Sequence, residues 1–153
     1  MININNILTA DRILLECNIN SKKRALEMLS KLLTEHLEEV SAKTVLSDFV
    51  EREKLGSTAL GHSTALPHIR IPNLEKPVAA FLQLHEPIEF DNDQNMVKFL
   101  FGLIVPEDYD EAHLHLLSQV AEFFHQENFR EAIAKTQTPE EALQLFDHET
   151  ISK

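Results

Sequence analysis

Val78-Ala79-Ala80-Phe81-Leu82-Gln83-Leu84 is apolar on both faces of an extended chain. A strand points alternate side chains to opposite faces, so this run needs cover on both. It reads as a central strand of a layered sheet. Val97 to Val105 is a second run of the same kind, ended by Pro106. Between them His85-Glu86-Pro87 breaks the first strand. Ile88-Glu89-Phe90 then reads as a short edge strand, and residues 91–95 as a polar turn. Ile13 to Cys17 is a further short strand. Residues 64–67 are extended, because a proline drives the residue before it out of the helical region.

Helical patterns flank these strands. Ser21 caps a helix over about 22–38, with Ala25, Leu26, Met28, Leu29, Leu32, Leu33 and Leu37 at helical spacing. Ser41 caps a second, about 42–54, with Val45, Leu46, Phe49 and Val50 on its buried stripe and Gly56 as its stop. Residues 110–125 form a third, with Leu114, Leu117, Ala121 and Phe124 in one apolar line and Leu116 and Val120 widening it. Two short helices follow, about 127–135 and 139–147. The second opens on Thr138-Pro139-Glu140-Glu141: N-cap hydroxyl, proline in the first turn, glutamate three residues on. Ile4, Ile7 and Leu8, with Ile2, tuck the irregular start against the body. Strands interspersed with helices give an α/β fold: a single-domain α/β/α sandwich with a mixed, about five-stranded sheet flanked by helices. It fills residues 1–153 as one domain, with its core at about 7–147.

The chain has 153 residues, 43% hydrophobic content and a net charge of −11. This acidity argues against nucleic acid, whose phosphates need a basic surface, and against an anionic membrane face. It suits a basic protein partner. Cys17 is the single cysteine, so no intrachain disulfide forms and a reducing, cytoplasmic setting is expected. No signal peptide and no membrane span are visible.

Residues 52–70, Arg-Glu-Lys-Leu-Gly-Ser-Thr-Ala-Leu-Gly-His-Ser-Thr-Ala-Leu-Pro-His-Ile-Arg, break the helix and strand patterns. They hold two of the three glycines and four hydroxyls, and read as a loop. Loops on a rigid scaffold are where chemistry concentrates. Arg52 and Lys54 complement the helix dipole from its last turn.

His68 follows Pro67, which stiffens its mount; on spacing alone it reads as a structural histidine. His36 reads as surface, His125 and His148 as helix-end residues, His85 as a turn residue, and His62 as a loop residue free to point anywhere. His113 and His115 are about 200° apart around one helix. His115 shares a solvent face with Glu111, Ser118, Gln119 and Glu122, whereas His113 lines up with Leu117 and Val120 towards the protein. A His-x-His pair on a helix chelates poorly, and no His-Glu-x-x-His is present, so no metal site is expected. There is also no Walker A loop.

These segments together carry a resemblance. Arg52-Glu53-Lys54-Leu55-Gly56-Ser57-Thr58, Gly61, Ala65-Leu66-Pro67-His68 and His113-Leu114-His115-Leu116-Leu117-Ser118 are similar, in order, to the type-2 IIA domains of the bacterial sugar phosphotransferase system. Within that mannitol/fructose class, Ser21-Lys22-Lys23-Arg24-Ala25-Leu26-Glu27 adds a likeness to the nitrogen-regulatory branch. The resemblance covers about 7–147.

It implies that His68 accepts a phosphoryl group, on Nε2, from a small histidine phosphocarrier of the HPr/NPr type. It implies that His113 stabilises that group and that Arg52 lines the site. Gly56, Ser57, Thr58 and the backbone of the 56–68 loop are then expected to hold the phosphoryl oxygens. No cofactor or metal is implied, since the donor is a phosphohistidine. The branch implies a downstream protein target in nitrogen metabolism or potassium transport. A sugar-specific IIA domain feeding a permease, and a binding module indifferent to phosphate, remain as alternatives. Two positions depart from the family pattern: Ile69 stands where a small residue is usual, and His62 adds a titratable group beside Gly61.

Overall fold

The computed structural model describes residues 3–147; His148 and Ile2 lie outside them. Two 3₁₀ turns, Ile4–Asn6 and Ala10–Arg12, lead into β1 (Ile13–Cys17), α1 (Lys22–Thr34) and α2 (Ala42–Leu55). Then come β2 (Ala59–Gly61), β3 (Thr64–Ala65), β4 (His68–Ile71), β5 (Val78–Glu89) and β6 (Met96–Pro106). Three helices end the chain: α3 (Glu111–His125), α4 (Glu127–Ala134) and α5 (Pro139–Leu145).

One mixed six-stranded sheet runs β1-β5-β6-β3-β2, with β4 following β3 along the same side of β6. β5 and β6 are antiparallel, and β1, β3 and β4 join them in parallel. The central strands bury both faces, with alternate residues going to opposite layers along 79–82 and 99–105. Ala80, Leu82, Leu100 and Ile104 pack with α1 and α2, while Phe81, Phe99, Phe101 and Leu103 pack with the C-terminal helices. Each large side chain so buried contributes about 1.5–3 kcal/mol. Ile4, Ile7 and Leu8 are buried in the second layer as expected. Among the described residues no helix is long and apolar enough to cross a membrane.

The capping signals act as read. The Ser21, Ser41 and Thr138 side chains accept from the N–H groups of Arg24, Thr44 and Glu141. Three expectations need correction, and one is refined. The break at 85–87 is a bulge: β5 runs on through Pro87, and its register with β6 shifts between Gln83 and Ile88. A bulge leaves a residue out of the ladder, which suits a proline without an N–H. The mixed sheet flanked by helices is as expected, with six strands where about five were read, because residues 56–67 are not all loop. β2 and β3 form a hairpin closed by His62 and Ser63, at φ 52° and 62°, as a mirror-image two-residue turn requires. α1 stops at Thr34, short of 38; Glu35, Glu38 and Glu39 would oppose the dipole at its C-terminus. On α3 the buried side is Leu116, Val120, Phe123 and Phe124, whereas Leu114 is 62% exposed.

α1 crosses β6 closely at Gly102. A Cβ there would stand 3.1 Å from Leu29 Cδ2, so the fully buried Leu29 side chain would have to give way. Gly102→Val is expected to cost about 1–3 kcal/mol by overpacking, read as a lower urea midpoint with unchanged slope.

Candidate functional site

His68 opens β4, which lies parallel to β6 with His68 opposite Leu103. Just before it, the Leu103 N–H donates to the Pro67 carbonyl at 2.9 Å. The mount is therefore fixed by proline geometry on one side and the sheet ladder on the other. Alternation along β4 does the rest. Ile69 and Ile71 point into the α1/α2 core layer, leaving His68 and Arg70 on the opposite side of the strand.

The ring orientation is also fixed. His68 Nδ1 lies 2.7 Å from the Leu66 carbonyl oxygen. A carbonyl only accepts, so Nδ1 carries the proton and Nε2 of the neutral ring keeps its lone pair. Burial pushes the His68 pKa down, the Leu66 carbonyl opposes that, the Arg52 charge lowers it further and Glu53 raises it. The net shift is downward, which favours the neutral ring at neutral pH.

His113 comes from the first turn of α3, whose N-cap Asp110 accepts from the Glu111 N–H at 2.7 Å. Its ring centre lies 5.7 Å from that of His68, tilted by 46°. It is 5% exposed, and among the described residues its Nδ1 has no hydrogen-bond partner. Burial first, then the His68 and Arg70 charges, push its pKa down to about 4. Tyr109 stands edge-on to the same ring, 6.4 Å away.

Asp48, Arg52 and Leu55 from α2, His68 and Arg70 from β4, and His113 from α3 line an open cleft of about 490 Å³. The Arg52 Nη1 donates to the Gly56 carbonyl at 2.8 Å, which holds the guanidinium at the helix end. Arg70 Nη1 donates to the Glu107 carbonyl at 3.2 Å. Ile69 touches the cleft too, although only 8% of it is exposed.

Of the residues singled out in the sequence, the fold brings His68, His113 and Arg52 together. Gly56, Ser57 and Thr58 do not line the cleft. The Thr58 N–H and hydroxyl both donate to the Glu53 carboxylate, the N–H at 3.2 Å, and Lys22 pairs with the same group at 3.1 Å. Ser57 Oγ accepts from the Ala59 N–H at 3.1 Å and also bonds Asp91. Arg70 is a cleft residue not singled out in the sequence, as are Asp48 and Glu51. The place of Arg70 two residues after His68 on a strand is the signal that would have found it.

The other histidines stand elsewhere. His36 bonds Asp11 at 2.9 Å on the surface, and His85 is a strand residue whose Nδ1 meets Glu16 at 2.8 Å.

The family described as "Phosphoenolpyruvate-dependent sugar phosphotransferase system, EIIA 2" matches residues 6–149. The chain belongs to this EIIA type-2 family. It is 39% identical over 146 residues to a nitrogen regulatory protein of Pseudomonas aeruginosa, covering 95% of each chain. The crystal structure of nitrogen regulatory protein IIA-Ntr from Neisseria meningitidis superposes with a TM-score of 0.87 at 35% identity, over 94% of this chain and 98% of that one. IIA mannitol from Escherichia coli shares the fold, with a TM-score of 0.75 at 23% identity over 90% and 97%. This EIIA chain is thus a phosphotransferase-system protein similar over nearly its whole length to nitrogen regulatory IIA proteins.

Acid should weaken the fold through the paired histidines. Both folded-state pKa values are depressed, so between the ordinary 6.5 and about 4 the unfolded chain binds more protons than the folded one at His113. Stability is therefore expected to fall as pH drops through this window and to level below it. Urea unfolding across the range checks this. His113→Gln should flatten the slope there, since it removes the titrating ring.

Proposed function

We propose that this EIIA protein is a phosphoryl carrier with a regulatory output, accepting its phosphoryl group on His68 Nε2 from a histidine phosphocarrier protein. The single observation that carries this is the bond from His68 Nδ1 to the Leu66 carbonyl. It leaves Nε2 as the nucleophilic nitrogen of a ring lining an open cleft beside two arginines.

Phosphoryl transfer passes through a loose transition state, so positioning and charge stabilisation dominate. As Nε2 forms its bond to phosphorus, the P–N bond to the donor imidazole breaks, and the donor ring keeps that electron pair. The equatorial oxygens carry negative charge. Arg70 and Arg52 supply cationic partners, and the His113 ring supplies a hydrogen bond from a position already desolvated. The arriving charge raises the His113 pKa, since an opposite charge favours its protonated form. Ser57 and Thr58 are committed to Asp91 and Glu53, so the cradle is drawn from the arginines and His113 rather than from these hydroxyls. The −11 net charge favours a basic face on the phosphocarrier.

The identity to nitrogen regulatory proteins supports a regulatory reading, with nitrogen metabolism or potassium transport as the controlled process and the cytoplasm as the setting. A sugar-specific role, feeding a permease IIB domain, is the second reading. Two captures test the choice. The unphosphorylated and phosphorylated forms are each presented to a cell extract and to a purified IIB domain. The regulatory reading expects a protein target that binds one form at least about tenfold better and no phosphoryl passage to IIB. Rapid passage to IIB would favour the permease role. Equal capture by both forms would leave only a binding module.

A further inference from the structure

The departure at His62 places a second histidine pair outside the phosphoryl cleft. His62 sits at the tip of the β2–β3 hairpin and His125 at the C-terminus of α3. Their ring centres are 5.4 Å apart at an interplanar angle of 80°. Both rings are exposed, and among the described residues neither has a hydrogen-bond or ion-pair partner. Each ring is the other's aromatic neighbour.

Both backbones are pinned. The Ser63 carbonyl accepts from the N–H groups of Lys98 and Phe99 at 2.8 and 3.0 Å, and Thr64 Oγ1 donates to the His62 carbonyl at 3.0 Å. Arg130 Nη1 donates to the Phe124 and His125 carbonyls at 2.7 and 2.9 Å. Two free imidazoles are thus presented by two rigid elements across a small cleft. Ser118 and Glu122 line the same cleft, Glu122 one turn before His125 on α3.

From this geometry we infer that His62 and His125 form a binding site for a borderline divalent metal ion such as Zn²⁺. Two imidazoles sharing a tetrahedral ion through nitrogens at about 2.0–2.1 Å hold their ring centres roughly 5 Å apart, close to the spacing observed. Imidazole selects zinc, nickel and copper over magnesium and calcium, which prefer oxygen. Among the described residues no group of three His, Cys, Asp or Glu converges on one point. The protein therefore supplies two nitrogens and water completes the shell, with the Glu122 carboxylate within the same cleft. The strongly acidic chain draws cations, which offsets the small number of ligands. An ion held here ties the hairpin that leads into His68 to the helix that carries His113, so its occupancy bears on how the phosphoryl cleft is held together. An edge-to-face ring contact with no ligand is the competing account.

Titrating the full unphosphorylated chain with Zn²⁺ at neutral pH, by calorimetry and by imidazole nitrogen NMR, separates the two. The expected result is one saturable ion per monomer, with shifts at His62 and His125 and none at His68 or His113. Mg²⁺ should give no binding heat. His62→Asn, which tolerates the positive φ, and His125→Gln should each abolish saturable binding, whereas His115→Gln should keep it. Zinc should raise the melting temperature of the wild type and leave that of His62→Asn unchanged. Absence of saturable binding in the wild type overturns the site. So does binding that survives both substitutions, moves to His68, or requires dimerisation.

Discussion

His68→Ala is expected to abolish phosphoryl acceptance. With phosphoenolpyruvate, its kinase and the phosphocarrier present, wild type should take up one acid-labile phosphoryl group per chain, and the alanine variant none. The effect is absolute because, among the described residues, no other imidazole has the same setting. His113, the nearest imidazole, is buried with Nδ1 unpartnered and its pKa pushed down to about 4, so it lacks the carbonyl that orients His68. His68→Ala should still fold, since the ring is only half-buried and its single hydrogen bond runs to a neighbouring carbonyl. An unchanged melt therefore separates lost chemistry from lost structure. His113→Ala predicts a different outcome: phosphorylation persists but slows by about a hundredfold or more, the cost of removing one preorganised hydrogen bond to developing charge. Equal uptake by His68→Ala and wild type would contradict the assignment.

The second large effect is on stability. Phe146 lies just past α5, 1% exposed, with its ring against Phe81, Phe101, Phe123, Phe124 and Phe129 at centre distances of 5.2–5.9 Å. It joins the central strands to α3 and α4. Phe146→Ala leaves a cavity at that junction and is expected to cost about 3–5 kcal/mol. Natural domains have only about 5–15 kcal/mol in hand, so the variant should melt far lower or expose its C-terminal helices. The urea midpoint reports the first, and hydrogen exchange localised to α3–α5 reports the second. Loss of under 1 kcal/mol would show that the ring cluster is not the hinge of that layer. A preserved phosphorylation site in a variant that still folds would place Phe146 in the scaffold alone.

What the sequence disclosed follows from the range of the forces involved. Residues 78–84 and 97–105 had to be central because both faces were apolar. Ser21, Ser41 and Thr138 had to open helices because capping is local. His113 was separated from His115 by helix geometry alone. The hairpin at 59–65 was hidden because His62-Ser63 lacks the usual Asn-Gly signal, and its register is set by β6. The bulge at Pro87 was hidden for a similar reason: a proline reads as a break unless a partner strand is known to run past it. Arg70 was passed over because its role depends on β4 being a strand. Ser57 and Thr58 were assigned to the site by resemblance, but their hydroxyls serve Asp91 and Glu53, which come from elsewhere in space or one helical turn back. Ile69 proves to be mainly a core residue with one edge on the cleft.

Phosphorylation of His68 is tested most directly by nitrogen-resolved NMR of the phosphorylated chain kept at alkaline pH, where phosphohistidine survives. A single phosphoryl group is expected on His68 Nε2, with the Nδ1 proton retained towards Leu66. A phosphoryl group on His68 Nδ1, on His113 or on any other residue would contradict it.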